Sequence, residues 1–445
     1  MTTVAAQAEL PHRFTPGTIR AAWSYKAFRL IWAGQALSQT GTWMQNVALP
    51  AYVQSRWHSG GLVGAMVFAQ LGPLLLLSIP GSVVANKLPR KPWLLTMPTV
   101  QMVAAFGLAA LVAGGAGYWW LFAANAVIGS ANALNAPAFQ ASIPLLVDRR
   151  DLPGAISLNT VQLNGTRVLG PLLVGALTLF HVTVSQMLII NGITFLFIVG
   201  AIAMVDIPVA RHATEQGWRQ LTAGLRIARS RPILARLLIT MAAFSLLALP
   251  FVGLFPTVAA QAFHMKTRSS AYSWLYAIFG FGALIGGVSV GSVFARFDKR
   301  RLIPPALVGF GISLFAFGRL RSAGPAYVVA LVLGAFYFAA TTAMNTVFQQ
   351  RLGDSERVLV MALWFMAFGG TVPIGNLIFG PVMDHIGPRW VLGMGAVVAV
   401  LLAWWCDLTR IDDGADWSPG RELSRQAFEP GDPAALHEHP ALGAD

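Results

Sequence analysis

Charged side chains are scarce in this chain. Aspartate, glutamate, lysine and arginine make up 11% of its 445 residues, whereas hydrophobic residues make up 56%. A soluble protein carries about 25% charged residues, so the composition excludes a soluble domain and predicts an integral membrane protein. Cys406 is the single cysteine, which excludes an intramolecular disulfide and a cysteine-rich metal site.

The groups that catalysis or ATP-driven work would need are also missing. The sequence has no Walker A motif, the loop that cradles ATP phosphates. The eight histidines fall in predicted loops, tails or span ends, without acidic partners at metal-ligand spacing. A membrane-embedded enzyme and a non-transporting scaffold are therefore disfavoured alternatives, and no metal or cofactor is expected. The net charge of +13 suggests no nucleic-acid partner here, because the basic residues stand between apolar runs.

Twelve apolar runs are long enough to cross a bilayer, which takes about 20 residues. Charged or Gly/Pro-rich breaks separate them. These predicted spans 1 to 12 cover residues 28–53, 60–86, 93–113, 118–141, 155–180, 183–205, 233–260, 270–295, 302–320, 325–348, 357–382 and 389–409.

Basic residues set the predicted orientation. Most of the 31 lysines and arginines fall in the loops on the side of the N-terminus, and such residues stay in the cytoplasm. Since twelve is even, both termini are expected to be cytoplasmic. The predicted location is the cytoplasmic (inner) membrane, with multiple passes through the lipid bilayer.

The spans divide into two groups of six around the longest internal gap. The linker carries Trp218, Leu221 and Leu225 at helical spacing, which indicates an amphipathic helix on the inner leaflet. The acidic, proline-containing end of the chain indicates a disordered cytoplasmic tail. The predicted units are a leader at 1–25, a six-helix bundle at 26–206, the linker at 207–232, a second bundle at 233–410, and the tail at 411–445.

An internal repeat supports this division. The pattern Gly-x4-Gly-x4-Gly occurs in span 5 and again in span 11. Other paired features occur in the same order, including a basic turn after spans 2 and 8. Small residues let membrane helices approach closely, so a helix-packing role is predicted for Gly165, Gly170, Pro171, Gly175, Gly370, Gly375 and Gly380.

Arg167 breaks the repeat, because Val372 occupies the matching place. It is the one charged residue placed deep inside a predicted span, where an arginine costs about 3 kcal/mol on insertion scales. Pro171, four residues on, removes the hydrogen-bond donor for the Arg167 carbonyl. Arg167 should therefore face a protein interior or a wet cavity. Helix crossing with internal pairing and a direct role in transport both remain open.

Two six-span halves with basic turns resemble the major facilitator superfamily over about residues 25–410. The superfamily signature after span 2 is similar to Gly-x3-Asp-Arg-x-Gly-Arg-Lys. In this chain Ser82 and Asn86 replace the first glycine and the aspartate. Within the superfamily, the segments 38–48, 137–144, 164–171 and 380–390 resemble the branch of bacterial exporters that includes the enterobactin exporter and the transmembrane secretion effectors.

The resemblance implies a substrate cavity lined by spans 1, 4, 7 and 10 and a gate at the basic turns. Asp148 or Asp354 could replace the missing carboxylate at this gate. The residues assigned to conformational gating are Asn86, Lys87, Arg90, Lys91, Asp148, Arg296, Arg300 and Asp354.

Polar stripes run along spans 1, 4 and 5, where residues three or four apart share a face of the helix. Single amides serve packing more often than transport, but together they indicate a hydrated path. Aromatic residues such as Trp43, Tyr276 and Tyr337 could form its walls. The residues assigned to substrate binding and translocation are Gln35, Ser38, Thr42, Gln45, Asn125, Asn132, Asn135, Asn159, Gln162, Arg167 and Asn345.

The predicted function is export of small amphipathic molecules by alternating access, as a monomer. Drug-like or siderophore-like compounds and other secondary metabolites fit such a path. Proton antiport is expected, yet none of the 18 acidic residues falls in the middle of a predicted span, where a proton relay is usual. An importer or facilitator of a small metabolite is the alternative with the same fold. The intramembrane arginine makes an anionic or carbonyl-rich substrate the favoured class.

Overall fold

The described residues fold almost entirely into helices, and each of the twelve predicted spans coincides with a helical segment. The computed structural model describes residues 15–87, 89–207, 218–352 and 354–410. The predicted boundaries agree with the helix ends to within a few residues. The twelve spans are Lys26–Trp57, Gly60–Lys87, Arg90–Ala113, Tyr118–Gln140, Leu152–Leu179, Val184–Met204, a broken segment from Pro232 to Phe263, Ser270–Gly291, Lys299–Arg319, Ala323–Gln350, a segment from Asp354 to Ile386, and Pro388–Trp405.

The spans pack as two six-helix bundles with matching arrangements. Spans 2 and 4, 3 and 4, and 3 and 6 pack together in the first half, and spans 8 and 10, 9 and 10, and 9 and 12 repeat this in the second. The halves meet along spans 2 and 11 and along spans 5 and 8. In the repeat, span 2 corresponds to span 8 and span 5 to span 11, so the two contacts are related by the internal symmetry. The architecture confirms the predicted fold class, an all-α membrane protein built from two pseudo-symmetric six-helix bundles.

Hydropathy separates the spans into two kinds. Eight described helices are long and apolar enough to cross a membrane by composition alone. Spans 1, 4 and 5 fall short because they carry the polar stripes, and span 7 because it is broken. The less apolar spans are thus those whose side chains turn away from lipid towards other helices or a cavity.

Both irregular spans lie in the second half. Span 7 contains a π-helical turn at Phe244–Ala248 and two further breaks, before the short helices Pro250–Gly253 and Phe255–Phe263. Each of these short helices begins at or just before a proline, which cannot donate the backbone hydrogen bond that would continue the preceding helix. Span 11 contains a second π turn, Met366–Gly370.

A linker helix, Trp218–Ser230, precedes span 7 and bends 114° away from it. It packs against the start of span 11. Next to it, Arg231 forms an ion pair with Glu356 (Nη2 to Oε1, 2.8 Å). The side chains of Trp218 and Leu221, residues 1–14 of the predicted leader and the predicted tail at 411–445 lie outside the described residues.

Candidate functional site

One carboxylate joins the two halves at the end of the bundle where span 1 ends and span 2 begins, here called the far side. Asp384 of span 11 accepts hydrogen bonds from the backbone N–H of Gly60 (2.7 Å) and of Gly61 (2.9 Å) and from Ser59 Oγ (2.9 Å). Gln261 Nε2 of span 7 adds a fourth at 3.2 Å. Free N–H groups and the helix dipole make a helix N-terminus attractive to an anion. Asp384 therefore caps span 2 from the opposite half, and these five residues are called the far-side latch.

Buried contacts extend this closure along the far side. Thr257 Oγ1 donates to Gln54 Oε1 across the halves at 2.8 Å, and Thr267 Oγ1 donates to the carbonyl of Ala51 at 2.9 Å. Gly64 lies directly against the backbone carbonyl of Asn376. A side chain at position 64 would force these backbones apart, so the glycine permits the contact.

At the opposite end, called the termini side, the gating residues bond within their own halves. In the first half, Arg90 Nη1 donates to the Ala141 carbonyl at 3.5 Å and Lys91 pairs with Asp206 at 3.4 Å. In the second half, Arg300 Nε pairs with Asp298 at 3.0 Å.

The other gating residues show no bridge between the halves either, as far as the structure describes them. Asp148 pairs with Arg150 at 3.5 Å and accepts from the hydroxyl of Tyr25 at 2.9 Å. Arg296 is exposed. The side chains of Asn86, Lys87 and Asp354 lie outside the description. Among the described residues, the halves are thus bonded to each other at the far side, whereas the gating residues of the termini side bond within their own halves.

Tyr25 ties the start of span 1 to the loop before span 5. Its hydroxyl shares its one proton between Asp148 Oδ2 (2.9 Å) and Asp151 Oδ2 (2.8 Å), and Asp151 also accepts from the backbone N–H of Gly17 at 2.9 Å. Burial and the two carboxylates raise the pKa of Tyr25 well above its usual range. This cluster lies outside the spans and belongs wholly to the first half.

Two amides assigned to the translocation path form a buried network. Gln45 Nε2 donates to Asn125 Oδ1 at 3.1 Å, and Asn191 Nδ2 donates to Gln45 Oε1 at 2.8 Å. Asn125 Nδ2 donates to the Met66 carbonyl at 3.0 Å. The three amides are at most 1% exposed, and they join spans 1, 2, 4 and 6 of the first half. Sequence reasoning missed Asn191, although an isolated amide in the otherwise apolar span 6 was the available signal.

Other polar residues line a cavity of about 80 Å³ between spans 1, 2, 3 and 4. Thr42 and Asn132 were predicted for the path and lie here. Asn46 and Gln70, which share a side-chain hydrogen bond, were not. The signal for Asn46 was a second polar row on span 1, formed with Gln39 and lying one residue along from the first. The polar lining consists of Gln39, Thr42, Asn46, Gln70, Gln101 and Asn132, with Trp43 beside them.

The remaining predicted path residues are scattered. Ser38 is buried and accepts from Thr42 Oγ1 through its carbonyl at 3.0 Å, and Gln35 is half-buried. Asn159 bonds to Gln140 at 3.4 Å and Asn345 to Gln349 at 3.2 Å, each near the termini side. Asn135 Oδ1 and Gln162 Nε2 are buried without a hydrogen-bond partner among the described residues.

Arg167 lies where four spans of both halves meet. Its Cζ atom is 5.3 Å from the ring centroid of Trp43 in span 1. It is also within electrostatic range of the phenol groups of Tyr276 in span 8 and Tyr337 in span 10. These four residues are called the Arg167 box. Trp43 belongs both to the box and to the wall of the polar cavity, so the two adjoin at this side chain.

Close packing of span 5 on span 1 places the guanidinium over the indole. A Cβ atom at Gly170 would meet the Trp43 side chain and, at 2.8 Å, the backbone nitrogen of Met44. Neighbouring Val168 faces Gly280 of span 8, with 4.0 Å between the Val168 Cα and an added Cβ. Gly170, one turn from Arg167, therefore brings spans 5 and 1 into direct contact.

The repeated glycines contact matching partners in the two halves. Gly170 meets span 1, and Gly375 meets Leu246 of span 7 in the same way. Gly175 faces Trp274 of span 8 at 3.6 Å, and Gly380 meets Gly60 of span 2. The first pair differs, because Gly370 packs on Leu75 whereas Gly165 has open space around it. Pro171 is buried inside span 5.

The sequence matches the family described as transmembrane secretion effector over residues 18–426. It is 24% identical over 404 residues to the enterobactin exporter EntS of Salmonella choleraesuis (strain SC-B67), covering 85% of this chain and 92% of the relative. EntS of Shigella flexneri is 24% identical over 398 residues, covering 85% and 91%.

Solved transporter structures share the fold. A bacterial homolog of the human lysosomal transporter Spinster, in an inward-facing and unoccupied conformation, aligns with a TM-score of 0.69 at 15% identity, covering 88% of this chain and 99% of that chain. The nucleoside transporter NupG aligns with a TM-score of 0.67 at 14% identity, covering 87% and 100%.

Proposed function

Because the chain belongs to the transmembrane secretion effector family of major facilitator transporters, we propose that it exports small amphipathic molecules across the cytoplasmic membrane by alternating access. It is a secondary transporter and not an enzyme. The observation that carries the proposal is the unequal closure of its two ends. The far side is latched between the halves through Asp384, while the described gating residues of the termini side bond within their halves.

The direction of access follows from the charge distribution. Lysine and arginine are concentrated on the termini side, which positive-inside orientation places in the cytoplasm. On this assignment the described state is open to the cytoplasm, ready to load a molecule for export. The curated relatives named above are exporters, which supports the outward direction. Each half supplies one bundle, at 26–206 and 233–410, so a monomer holds a complete path.

The path suits amphipathic molecules because apolar rings and neutral amides share its walls. A binding site with mainly apolar walls and a few polar groups is typical of drug-sized ligands. Proton antiport is our proposed energy source. The described acidic residues lie at span ends, so such coupling would run through one of these, and Asp384 is the carboxylate that bridges the halves.

Transport into inside-out membrane vesicles tests the proposal. An exporter should accumulate an amphipathic probe such as a lipophilic fluorescent dye in these vesicles, and collapse of an imposed pH gradient should abolish accumulation if protons drive it. Vesicles without the protein provide the baseline. Accumulation in right-side-out vesicles instead would identify an importer. Accumulation in neither orientation, across dyes of each charge type, would contradict export.

A further inference from the structure

The Arg167 guanidinium has no hydrogen bond or ion pair with any described residue, although it offers five N–H donors and stays charged at every physiological pH. Its Cζ atom lies over the ring of Trp43, 5.3 Å from the ring centroid. The described acids lie at span ends or in loops, as Asp151 and Asp384 do. This charge therefore needs hydration by water for as long as no counter-ion is bound beside it.

Closing the path removes that water. A charge that loses its hydration without a partner is strongly disfavoured, and alternating access requires a state in which both ends are shut around the cargo. An oxyanion on the cargo would replace the water and satisfy the guanidinium, usually through two parallel N–H···O bonds. A neutral cargo could accept hydrogen bonds through carbonyl or hydroxyl oxygens but would supply no countercharge, and a cation would be repelled.

From this geometry we infer that the Arg167 box is an anion-binding subsite and that the exported molecule is an organic anion, with a carboxylate or similar oxyanion next to an aromatic or planar apolar group. The Trp43 ring, 5.3 Å from Cζ to its centroid, takes up none of the guanidinium N–H donors in a hydrogen bond. The phenol groups of Tyr276 and Tyr337 lie within electrostatic range of the guanidinium from the opposite half. The inference rests on the proposed export function and names its substrate class.

The polar cavity beyond Trp43 extends this description of the cargo. Its lining groups are neutral amides and a hydroxyl, including Thr42, Asn46 and Gln70, which can bond to hydroxyl or carbonyl groups but cannot neutralise charge. One molecule could thus place its anionic group at Arg167 and its neutral polar groups in this cavity. An inorganic anion would leave both the rings and the amides unused.

An anionic cargo also explains how the path can work without a carboxylate in mid-membrane. A membrane potential that is negative inside favours the outward movement of each negative charge. Export of an anion therefore draws on the potential directly, whether or not protons are exchanged. Arg167, absent from the repeat at Val372, is the fixed charge that such a cargo requires.

Binding of two matched probes to the purified protein in lipid nanodiscs tests the inference. The probes are 1-naphthoate and its neutral amide, 1-naphthamide, with affinities measured by equilibrium dialysis. We expect naphthoate to bind about tenfold or more tightly than naphthamide, as a charged hydrogen-bond pair requires. In Arg167→Gln, naphthoate affinity should fall by about tenfold, to the level of the amide, while naphthamide affinity stays unchanged. Arg167→Lys, which keeps the charge but loses the bidentate fork, should be intermediate.

Arg236→Gln is the matched control. Arg236 lies over Trp405, with Cζ 4.8 Å from the ring centroid, between spans 7 and 12. Arg236→Gln therefore removes the same kind of arginine–tryptophan pair at a place away from the path. Equal binding of the two probes by the unmodified protein, binding of neither, or an equal loss in both arginine-to-glutamine variants would overturn the inference. The unmodified protein decides this even if Arg167→Gln fails to fold. Vesicle transport of neutral dyes alone would keep export but exclude an anion subsite, whereas no transport of any dye would contradict export itself.

Discussion

Replacing Asp384 with asparagine should open the far side of the transporter. The carboxylate of Asp384 accepts from two backbone N–H groups at the start of span 2, at 2.7 and 2.9 Å, and from a hydroxyl at 2.9 Å. Asparagine keeps one acceptor oxygen and turns an NH₂ group towards donors, so it loses both charge and acceptor capacity. Asp384→Asn changes few atoms and leaves the fold of each half intact.

The expected effect is a shift between access states. Hydrogen bonds to a charged group contribute about 1.5–3 kcal/mol each when buried, and an anion at a helix N-terminus about 0.3–1 kcal/mol when exposed. Asp384 lies at the exposed edge of the interface, where solvent screens its charge. A loss of about 1–2 kcal/mol is therefore expected for the latched state. Since about 1.4 kcal/mol corresponds to a factor of ten, the ratio of opened to latched molecules should rise about tenfold.

Pulsed electron paramagnetic resonance can measure this ratio. Spin labels at Trp119→Cys and Arg321→Cys would report the distance between the halves, because both positions are exposed and each lies at the far side of its own half. The native Cys406 is buried and can be replaced by serine. The long-distance population should grow in Asp384→Asn.

The control is Asp206→Asn, which breaks the Lys91 ion pair within the first half and should leave the distances unchanged. Identical distance distributions in Asp384→Asn and the parent protein would refute the role of the latch. An equal shift in the Asp206 control would show that the distances respond to any lost carboxylate.

Three further predictions concern contacts within and between the halves. Gly64→Ala should also favour the opened far side, because its Cβ would strike the Asn376 carbonyl, whereas Gly107→Ala, with open space around it, should leave the same spin-label distances unchanged. Asn191→Ala should lower the apparent melting temperature in detergent, since truncation leaves buried amide partners unsatisfied at about 1–3 kcal/mol; an unchanged melting temperature would contradict the buried network. Tyr25→Phe should lower it at pH 7, and this deficit should shrink as the pH rises above about 10. Folding raises the pKa of Tyr25, so its contribution is complete below the usual tyrosine pKa of about 10 and declines as the pH rises towards the folded value; a deficit that does not shrink above about pH 10 would contradict this assignment.

The fold was predictable from sequence because its main determinants are local. Apolar runs and the charges between them locate every span to within a few residues, and repeated glycines reveal the duplication. The direction in which each polar side chain of a helix faces cannot be predicted from the local sequence alone. The stripe on span 1 predicted one polar face, but Gln45 turns into the amide network with Asn191, whereas Thr42 lines the cavity. Both choices depend on helices that are distant in the chain.

The far-side latch is a second feature that the sequence could not predict. In the sequence, Asp384 is one of several acids at the end of a span, and nothing near it indicates a partner. Its partner Gly60 lies 324 positions away, and the bond is made to a backbone N–H that every residue other than proline carries. A contact of this kind leaves no residue pattern. The superfamily signature, in which Asn86 replaces the usual aspartate, predicts a gate at the termini side and carries no information about the far side.

The two interfaces between the halves differ in how closely their helices pack, and we expect them to have different roles in transport. Spans 2 and 11 touch backbone to backbone, with Gly380 against Gly60 and a carboxylate across the join. Their repeat, spans 5 and 8, makes ordinary contact at 3.6 Å between an added Cβ at Gly175 and Trp274, and no described carboxylate joins them. The Arg167 box lies beside this looser interface and takes Tyr276 from span 8. An anion held between Arg167 and Tyr276 would therefore add hydrogen bonds to the interface between spans 5 and 8, where no described carboxylate bridges the halves. We expect cargo to draw spans 5 and 8 together, while the latch between spans 2 and 11 holds the far side shut until the termini side has closed.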